Sequence, residues 1–328
     1  MKQGSNKGGK VLILTLTGDV HVPFVTRHMH SNFVLVDPAR MIEKCELSFY
    51  SDSKGTKVVY DGQELTDIKS VWYRRPYVPE REDLKVPDAY KDYSYSSVRK
   101  QIHDLYGMFR DAFWLTDYYT LVRGESKPMQ LDVAAHLGFN IPKTLATSSA
   151  KAAEDFLKDT GDAISKSMAN TLPIINNKVQ YFYTTKIPAG KEVNLEGLHL
   201  GPSIFQQAID VDKGLRITVV GDKVFAAAVR DPSYEDHPGI VDWRRAYTGG
   251  KLRFEKFTLP APLEAQCIEL TKKLNLKFGA IDLLLDKDGK YWFLEINPNG
   301  QWAFVEDDTG MPIGKAIADL LDSGGQVS

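Results

Sequence analysis

An α/β fold with a small α/β domain ahead of a larger one is predicted for this 328-residue chain by three features. A short apolar run, Val11–Thr17, opens it; helix-spaced apolar residues follow at 102, 105, 106, 109 and 113; and two apolar runs near the C-terminus flank Asp288-Gly289. The first run ends before Asp19, too short for a signal-peptide core, and reads as a buried strand. No stretch reaches the ~18 apolar residues of a membrane span. Ser70–Tyr73 forms a second strand and Val98–Trp114 a helix, with the polar run Thr116–Lys127 as the boundary. A helix over about Pro128–Leu137 has Ser126 as its cap, Pro128 in its first turn and Gly138 as its stop. A helix at Ser149–Asp159 leads past Gly161 into the strand Ala163–Ser167. Met168–Pro202 is long and polar, with a strand-like piece at Val179–Thr185, and its length suits a lid or other functional excursion. Ile204–Asp210 alternates apolar and polar residues as a strand does, Leu215–Val229 is a hairpin turning at Gly221-Asp222, and an amphipathic helix starts near Ile313.

Composition narrows the function. With 41 Lys and Arg against 43 Asp and Glu, the formal net charge is −2, without the basic excess that phosphate neutralisation demands of a nucleic-acid protein. Cys45 and Cys267 are the only cysteines and lie far apart, so neither a disulfide framework nor a zinc pattern is present, and a reduced cytoplasm is the natural compartment. The seven histidines form no ligand set.

The C-terminal hairpin carries the most specific signal. A two-residue turn at Asp288-Gly289 makes Lys287 face Lys290 and sets Asp282 directly opposite Glu295, with Asn297 on the face of Glu295. Two like charges so placed destabilise a sheet, and a hard divalent cation reverses that sign. Two carboxylates and an amide oxygen suit magnesium. An ordinary hairpin with Asp282 exposed and Glu295 paired to a lysine fits the same alternation, and a three-residue turn would shift the register. Arg216 stands within the apolar run Leu215-Arg-Ile-Thr-Val, where an unpaired guanidinium is costly, so it needs an anion. Lys127 stands at a helix N-terminus, where the macrodipole disfavours a cation unless a phosphate is bound there; a surface lysine screened by Glu125 is the alternative. Arginines interleave with aromatics in Trp72-Tyr-Arg-Arg-Pro-Tyr77 and Trp243-Arg-Arg-Ala-Tyr247. Such stripes bind single-stranded nucleic acid or an acidic peptide, and the missing basic footprint favours the peptide.

The segment Ile281-Asp-Leu-Leu-Leu-Asp with Phe293-Leu-Glu-Ile-Asn-Pro-Asn-Gly-Gln-Trp302 resembles the metal-binding end of ATP-grasp ligases, in particular the graspetide or microviridin-type branch that matures ribosomal peptides. Val71-Trp-Tyr-Arg-Arg-Pro76 is similar to a string in the N-terminal domain of the same enzymes. The resemblance implies an ATP-grasp fold with a pre-ATP-grasp domain at 1–122 and an ATP-grasp domain at 123–328, split into subdomains at about 123–208 and 209–328. It implies ATP and Mg2+ as cofactors. Lys127 and Lys166 are then the nucleotide lysines, backbone groups at Gln207, Ala208 and Ile209 read adenine, and Asp210 or Asp212 accepts from the ribose. Asp282, Glu295 and Asn297 are the metal ligands; Arg216 and Arg244, with Arg230 as a weaker third, stabilise the transferring group. A two-residue turn at Gly221-Asp222 sets Arg230 on the face opposite Arg216 unless a bulge intervenes. The family more often has Lys-Pro-Leu and a glycine-bearing lid where this chain has Lys166-Ser-Met-Ala-Asn170, which puts the lid geometry in doubt.

The implied activity is ATP-dependent closure of ester or amide rings between Asp or Glu side chains and Thr or Ser hydroxyls or Lys amines of a ribosomally made precursor peptide with a leader and an acidic core. The leader would dock near Val179–Thr185, no nucleic acid or membrane partner is expected, and a homodimer is compatible with the reading. Two other readings stand beside it: an ATP-grasp ligase that joins free amino acids or modifies a peptide end, and a nucleotide-binding scaffold without catalysis.

Overall fold

The computed structural model describes residues 9–42, 46–168, 174–175, 178–179, 184–230 and 253–326. Its N-terminal layer is a parallel sheet of order β2-β1-β6-β7, built from β1 (Lys10–Thr15), β2 (Phe33–Val36), β6 (Ile68–Arg75) and β7 (Phe113–Trp114). The helix α1 (His21–Thr26) follows β1, and a meander of β3 (Leu47–Asp52), β4 (Gly55–Tyr60) and β5 (Gln63–Glu64) is inserted before β6. β1 is apolar along its buried length because both faces are covered, as in parallel sheets generally: Leu12 and Leu14 pack with α2 (Asp88–Tyr106), Val11 and Ile13 with the C-terminal helices.

α2 corrects the expected helix at Val98–Trp114. It begins ten residues earlier and stops at Tyr106, and Phe113–Trp114 is a short strand. The early turns carry Tyr90 and Tyr93, both exposed, so no apolar stripe announces them; Gly107 and a left-handed Phe109 (φ 56°) end the helix before its apparent period does. The polar run taken as a boundary holds α3 (Tyr118–Gly124), capped by Asp117, whose side chain accepts from the N–H groups of Tyr119 and Thr120.

After α4 (Lys127–His136), the strands β8 (Thr144–Thr147), β9 (Ala163–Ser167), β12 (Thr185–Ile187) and β13 (Ser203–Gln207) form an antiparallel sheet of order β12-β9-β13-β8, with α5 (Ala150–Thr160) connecting β8 to β9. This sheet and α5 have a small core of their own around Ala153, Ile187, Leu198 and Phe205. Between β9 and β12, β10 (Ile174–Ile175) pairs with β11 (Lys178–Val179). Of the expected strand at Val179–Thr185, Val179 falls in β11 and Thr185 in β12, while residues 180–183 lie outside the described residues.

The largest sheet has the order β16-β15-β14-β17-β18, from β14 (Val211–Val220), β15 (Lys223–Arg230), β16 (Arg253–Lys256), β17 (Phe278–Asp286) and β18 (Tyr291–Asn297). One face, with Leu215, Ile217, Val219, Ile281, Phe293 and Ile296, packs against α4 and α6 (Ala261–Lys273). The other face meets α7 (Ala303–Thr309), α8 (Ile313–Ser323) and the N-terminal layer in one continuous core that includes Ile13, Trp72, Val220, Trp302 and Ile317. None of the described helices is long and apolar enough to cross a membrane.

The β17–β18 turn departs from the expected register. Leu285 pairs with Tyr291, and Asp286 N–H donates to Lys290 O, so Lys287-Asp288-Gly289 is a three-residue loop with Gly289 at φ 82°, and Lys287 does not face Lys290. A bulge at Leu294 then adds one residue to β18 and restores Asp282 opposite Glu295. Without it, alternation from the buried Phe293 would turn Glu295 into the apolar core and Ile296 out of it.

Candidate active site

Strand register puts three charged residues in one row. Arg216 on β14 pairs with Asp282 on β17, and Asp282 pairs with Glu295 on β18. One step along, Thr218, Ala280 and Asn297 form the next row on the same face. Arg216 is buried, and its Nη1 lies 3.3 Å from Asp282 Oδ1, so the anion that a guanidinium in an apolar strand requires is supplied by the neighbouring strand. Burial pushes the Asp282 carboxyl above the ordinary range; Arg216 pulls it back, and the facing Glu295 pushes it up again. Burial also disfavours ionised Glu295, but Lys127, Lys166 and Arg216 outweigh it and hold that carboxyl below its usual value.

Lys127 arrives from α4. Its Nζ donates to Glu295 Oε2, and the ammonium keeps two further protons for other acceptors. The sequence signal missed a buried residue one turn on: Gln130 donates from Nε2 to Gly124 O (2.6 Å) and Ile296 O (2.8 Å) and accepts from Ile296 N–H at Oε1 (3.0 Å). β18 is an edge strand, and this amide closes its open side as another strand would. Asn140 does the same further along, its carbonyl accepting from Phe293 N–H and its side chain donating to Tyr291 O. Lys127, Glu295 and the strand edge are thereby fixed together. The spacing Lys127–Gln130 on one helix face was the available signal.

Lys166, on β9, donates to Gln206 Oε1 (3.3 Å), and its charge favours ionised Asp282 and Glu295 across the cleft between the two sheets. At the end of β13, Gln207 N–H donates to Lys143 O and Ala208 N–H to Asp162 O, while Ile209 precedes the β14 start. Asp210 pairs with Lys287 (2.9 Å) and Asp212 with Lys213 (3.6 Å), both at the surface. The β14–β15 turn is the two-residue Gly221-Asp222, and the ladder from Val220–Lys223 to Leu215–Ala228 has no shift. Arg230 pairs by its backbone with Arg253; its side chain lies outside the described residues, as do Arg244 and all of Trp243–Tyr247.

The loop Pro298–Gln301 folds back over the sheet, and Gly300 makes that possible: a Cβ there would lie 2.4 Å from that of Ala280. Asn299 N–H donates to Asn297 Oδ1 (3.1 Å), and the carbonyl of Asn299 accepts from Arg74 Nη1 (2.9 Å) and Arg75 Nε (3.1 Å) of the N-terminal layer. Arg74 is 2 % exposed and also donates to Asn299 Oδ1 (2.8 Å). Behind it, Trp302 N–H donates to His21 Nε2 (3.2 Å), which leaves His21 Nδ1–H to donate to Asp19 Oδ1 (2.8 Å). Burial holds His21 neutral, below its usual range. Asp19 is disfavoured by burial, yet the hydrogen bonds from His21 and the charge of Arg74 keep it well below the carboxylate range. None of Asp19, His21 or Asn299 was singled out by pattern, because the contacts that tie them to the site, Arg74 to Asp19, Arg74 to Asn299 and Trp302 to His21, join residues 55 to 281 positions apart.

The chemistry of the donor set fits a divalent cation. Asp282, Glu295 and Asn297 offer oxygen only, on one face, and the mutual repulsion that helps raise Asp282 is what such an ion would relieve. Among the described residues no cluster of three or more His, Cys, Asp or Glu side chains suited to a metal occurs, as expected when the third donor is an amide.

Residues 179–321 match the RimK-like ATP-grasp domain, and the chain is an ATP-dependent ligase of the ATP-grasp class. Within that class it is similar to ligases of ribosomally synthesised, modified peptides (RiPPs). A Chryseobacterium gregarium RiPP-associated ATP-grasp ligase, solved with ADP and a leader and core peptide, is 26% identical with a TM-score of 0.86 over 96% of this chain and 97% of that one. Macrocyclase MdnC from Microcystis aeruginosa MRC, bound to precursor peptide MdnA, is 27% identical with a TM-score of 0.81, covering 95% and 98%. Macrocyclase MdnB of the same organism is 26% identical with a TM-score of 0.77, covering 95% and 99%. No curated protein sequence matches this one.

Proposed function

We propose that the protein is a peptide macrocyclase that uses ATP to join Asp or Glu side chains of a ribosomally made precursor to Thr or Ser hydroxyls or Lys amines of the same peptide. The observation that carries this reading is the match along 96% of the chain to a ligase solved with ADP, leader and core peptide. We divide the chain into a pre-ATP-grasp domain at 1–122 and an ATP-grasp domain at 123–328, whose parts at about 123–208 and 209–328 carry the two antiparallel sheets that would hold the nucleotide between them.

In the first step a carboxylate oxygen of the peptide attacks the γ-phosphorus, the bond to the ADP oxygen breaks, and an acyl-phosphate forms. In the second the hydroxyl or amine attacks the acyl carbon, inorganic phosphate leaves, and the nucleophile's proton passes to solvent. Lys127 and Lys166 position the phosphates, and Arg216 stabilises charge on the transferring group, with Arg244 and Arg230 assigned the same role by resemblance. Gln207 and Ala208 N–H are held by Lys143 and Asp162, so adenine is read by carbonyls of this segment and by Ile209 N–H, and Asp212 serves the ribose. Asp282, Glu295 and Asn297 would hold magnesium, which supplies neutralisation of phosphate charge. The leader docks at the Val179–Thr185 region and the surface beside it, which raises the effective concentration of the core at the site. The reaction belongs in the cytoplasm, where ATP is made available and Cys267 stays reduced.

The test is to seek beside the gene a short reading frame that encodes an acidic peptide with Thr or Ser, co-express the two, and weigh the peptide by mass spectrometry. Ring closure makes the peptide lighter by one water per bond. A heavier product would instead establish ligation of a second molecule, and ATP binding without ADP release would establish a scaffold.

A further inference from the structure

If the chain acts on an acidic peptide as proposed above, the cleft must hold a carboxylate beside a triphosphate and beside Asp282 and Glu295, all of which repel it. Among the described residues, the cations that act on that acid pair are already engaged: Lys127 with Glu295, Arg216 with Asp282, Lys166 with Gln206. Arg75 is not. It ends β6, opposite Thr15, and is exposed, and among the described residues its one hydrogen bond runs from Nε to Asn299 O. No Asp or Glu of the described residues forms an ion pair with it. That bond anchors the base of the guanidinium and leaves the two terminal nitrogens as an end-on fork, the geometry that takes a carboxylate in bidentate fashion.

Its place is equally specific. Asn299, which holds Arg75, donates its own N–H to Asn297 Oδ1, so two hydrogen bonds link Arg75 to a donor of the proposed metal set. Arg75 follows the buried Arg74 on β6, and both donate to the Asn299 carbonyl, so Arg75 stands beside the loop that returns over the Asp282–Glu295 face. The buried Arg74 beside it fixes Asn299 from the other side, so the fork is presented by a held loop and a held strand.

We propose that Arg75, brought in by the N-terminal layer, receives the side-chain carboxylate of the peptide before it is activated. The N-terminal domain is then part of the acceptor site, and acidic side chains are selected over their amides there.

The experiment measures ADP release with the acidic peptide from the neighbouring reading frame, for the wild type, Arg75→Gln and Arg75→Lys. A fluorescent core segment of that peptide, and a copy with Gln and Asn in place of Glu and Asp, report binding. Arg75→Gln is expected to lower kcat/KM for the peptide at least tenfold while the KM for ATP stays within about twofold, with Arg75→Lys between. The wild type should prefer the acidic core segment over the amide copy, and Arg75→Gln should lose that preference, which a merely structural role would not move. Equal peptide kcat/KM in Arg75→Gln, a preference that survives, or a KM for ATP that rises in step overturns the inference alone. A wild type that releases no ADP with the peptide overturns the proposed function, and the inference falls with it.

Discussion

Gln130→Leu should destabilise the protein far more than a surface change on α4 would. The substitution keeps approximate volume but removes the amide that satisfies Ile296 N–H, Ile296 O and Gly124 O, all at a buried position with Gln130 2 % exposed. Each of these three buried backbone groups left without a partner costs about 1–3 kcal/mol, and the added apolar side chain returns about 1 kcal/mol, so a net loss of roughly 2–8 kcal/mol is expected. Against a total stability of about 5–15 kcal/mol that is a large share. Urea unfolding monitored by tryptophan fluorescence, with Gln130→Glu as a partial replacement that keeps an acceptor for Ile296 N–H, measures it. The same variant should raise the KM for ATP, because the helix start that carries Lys127 is no longer tied to the strand that carries Glu295. A loss below about 1 kcal/mol, or an unchanged KM for ATP, would refute the idea that this side chain acts as the missing neighbour of an edge strand.

Glu295→Gln is expected to abolish ring formation, by at least a hundredfold in turnover, with an unfolding midpoint close to wild type; normal turnover would remove the proposed role of the acid pair. Gly300→Ala should lower both stability, by about 1–3 kcal/mol, and turnover, because its Cβ meets that of Ala280 at 2.4 Å, and adding Ala280→Gly should restore much of both in thermal melts and ADP-release assays. Cys267 is buried, which pushes its thiol up to about 12 from 9.0. The folded state therefore binds that proton more tightly than the unfolded one, and the associated stability is full below about pH 9 and is lost as pH rises toward 12. In a Cys45→Ser background, a disulfide reagent at pH 8 should leave native Cys267 unmodified and label it in urea, and rapid native labelling would contradict the burial.

How legible the site was depended on whether its logic was local. Arg216 could be read from its own strand, since a guanidinium among Leu215, Ile217 and Val219 has to meet an anion, and the neighbouring strand supplies Asp282. The facing of Asp282 and Glu295 followed from a two-residue turn that does not exist: a three-residue loop and a bulge at Leu294 shift the register in opposite senses and cancel. The two errors were invisible in sequence because Asp288-Gly289 suits either loop, and a bulge is selected by which faces are buried across the whole sheet. α2 was misplaced because its tyrosine-rich start contributes little to any core. Gln130 shares a helix face with Lys127, yet its bonds to Ile296, like those of Arg74 to Asp19 and Trp302 to His21, are made only by tertiary folding, so spacing alone does not reveal what they hold.

The contacts of Arg74 bear on how such an enzyme can move. Pulling the N-terminal layer off the large sheet would break the bonds from the buried Arg74 guanidinium to Asn299 and from Trp302 N–H to the His21 imidazole, and would open the shared core around Trp72 and Trp302. Those two layers consequently behave as a single chassis. Any opening and closing over a nucleotide is left to the four-stranded β8–β13 sheet, which keeps a separate core and can swing as a flap without tearing apolar packing elsewhere.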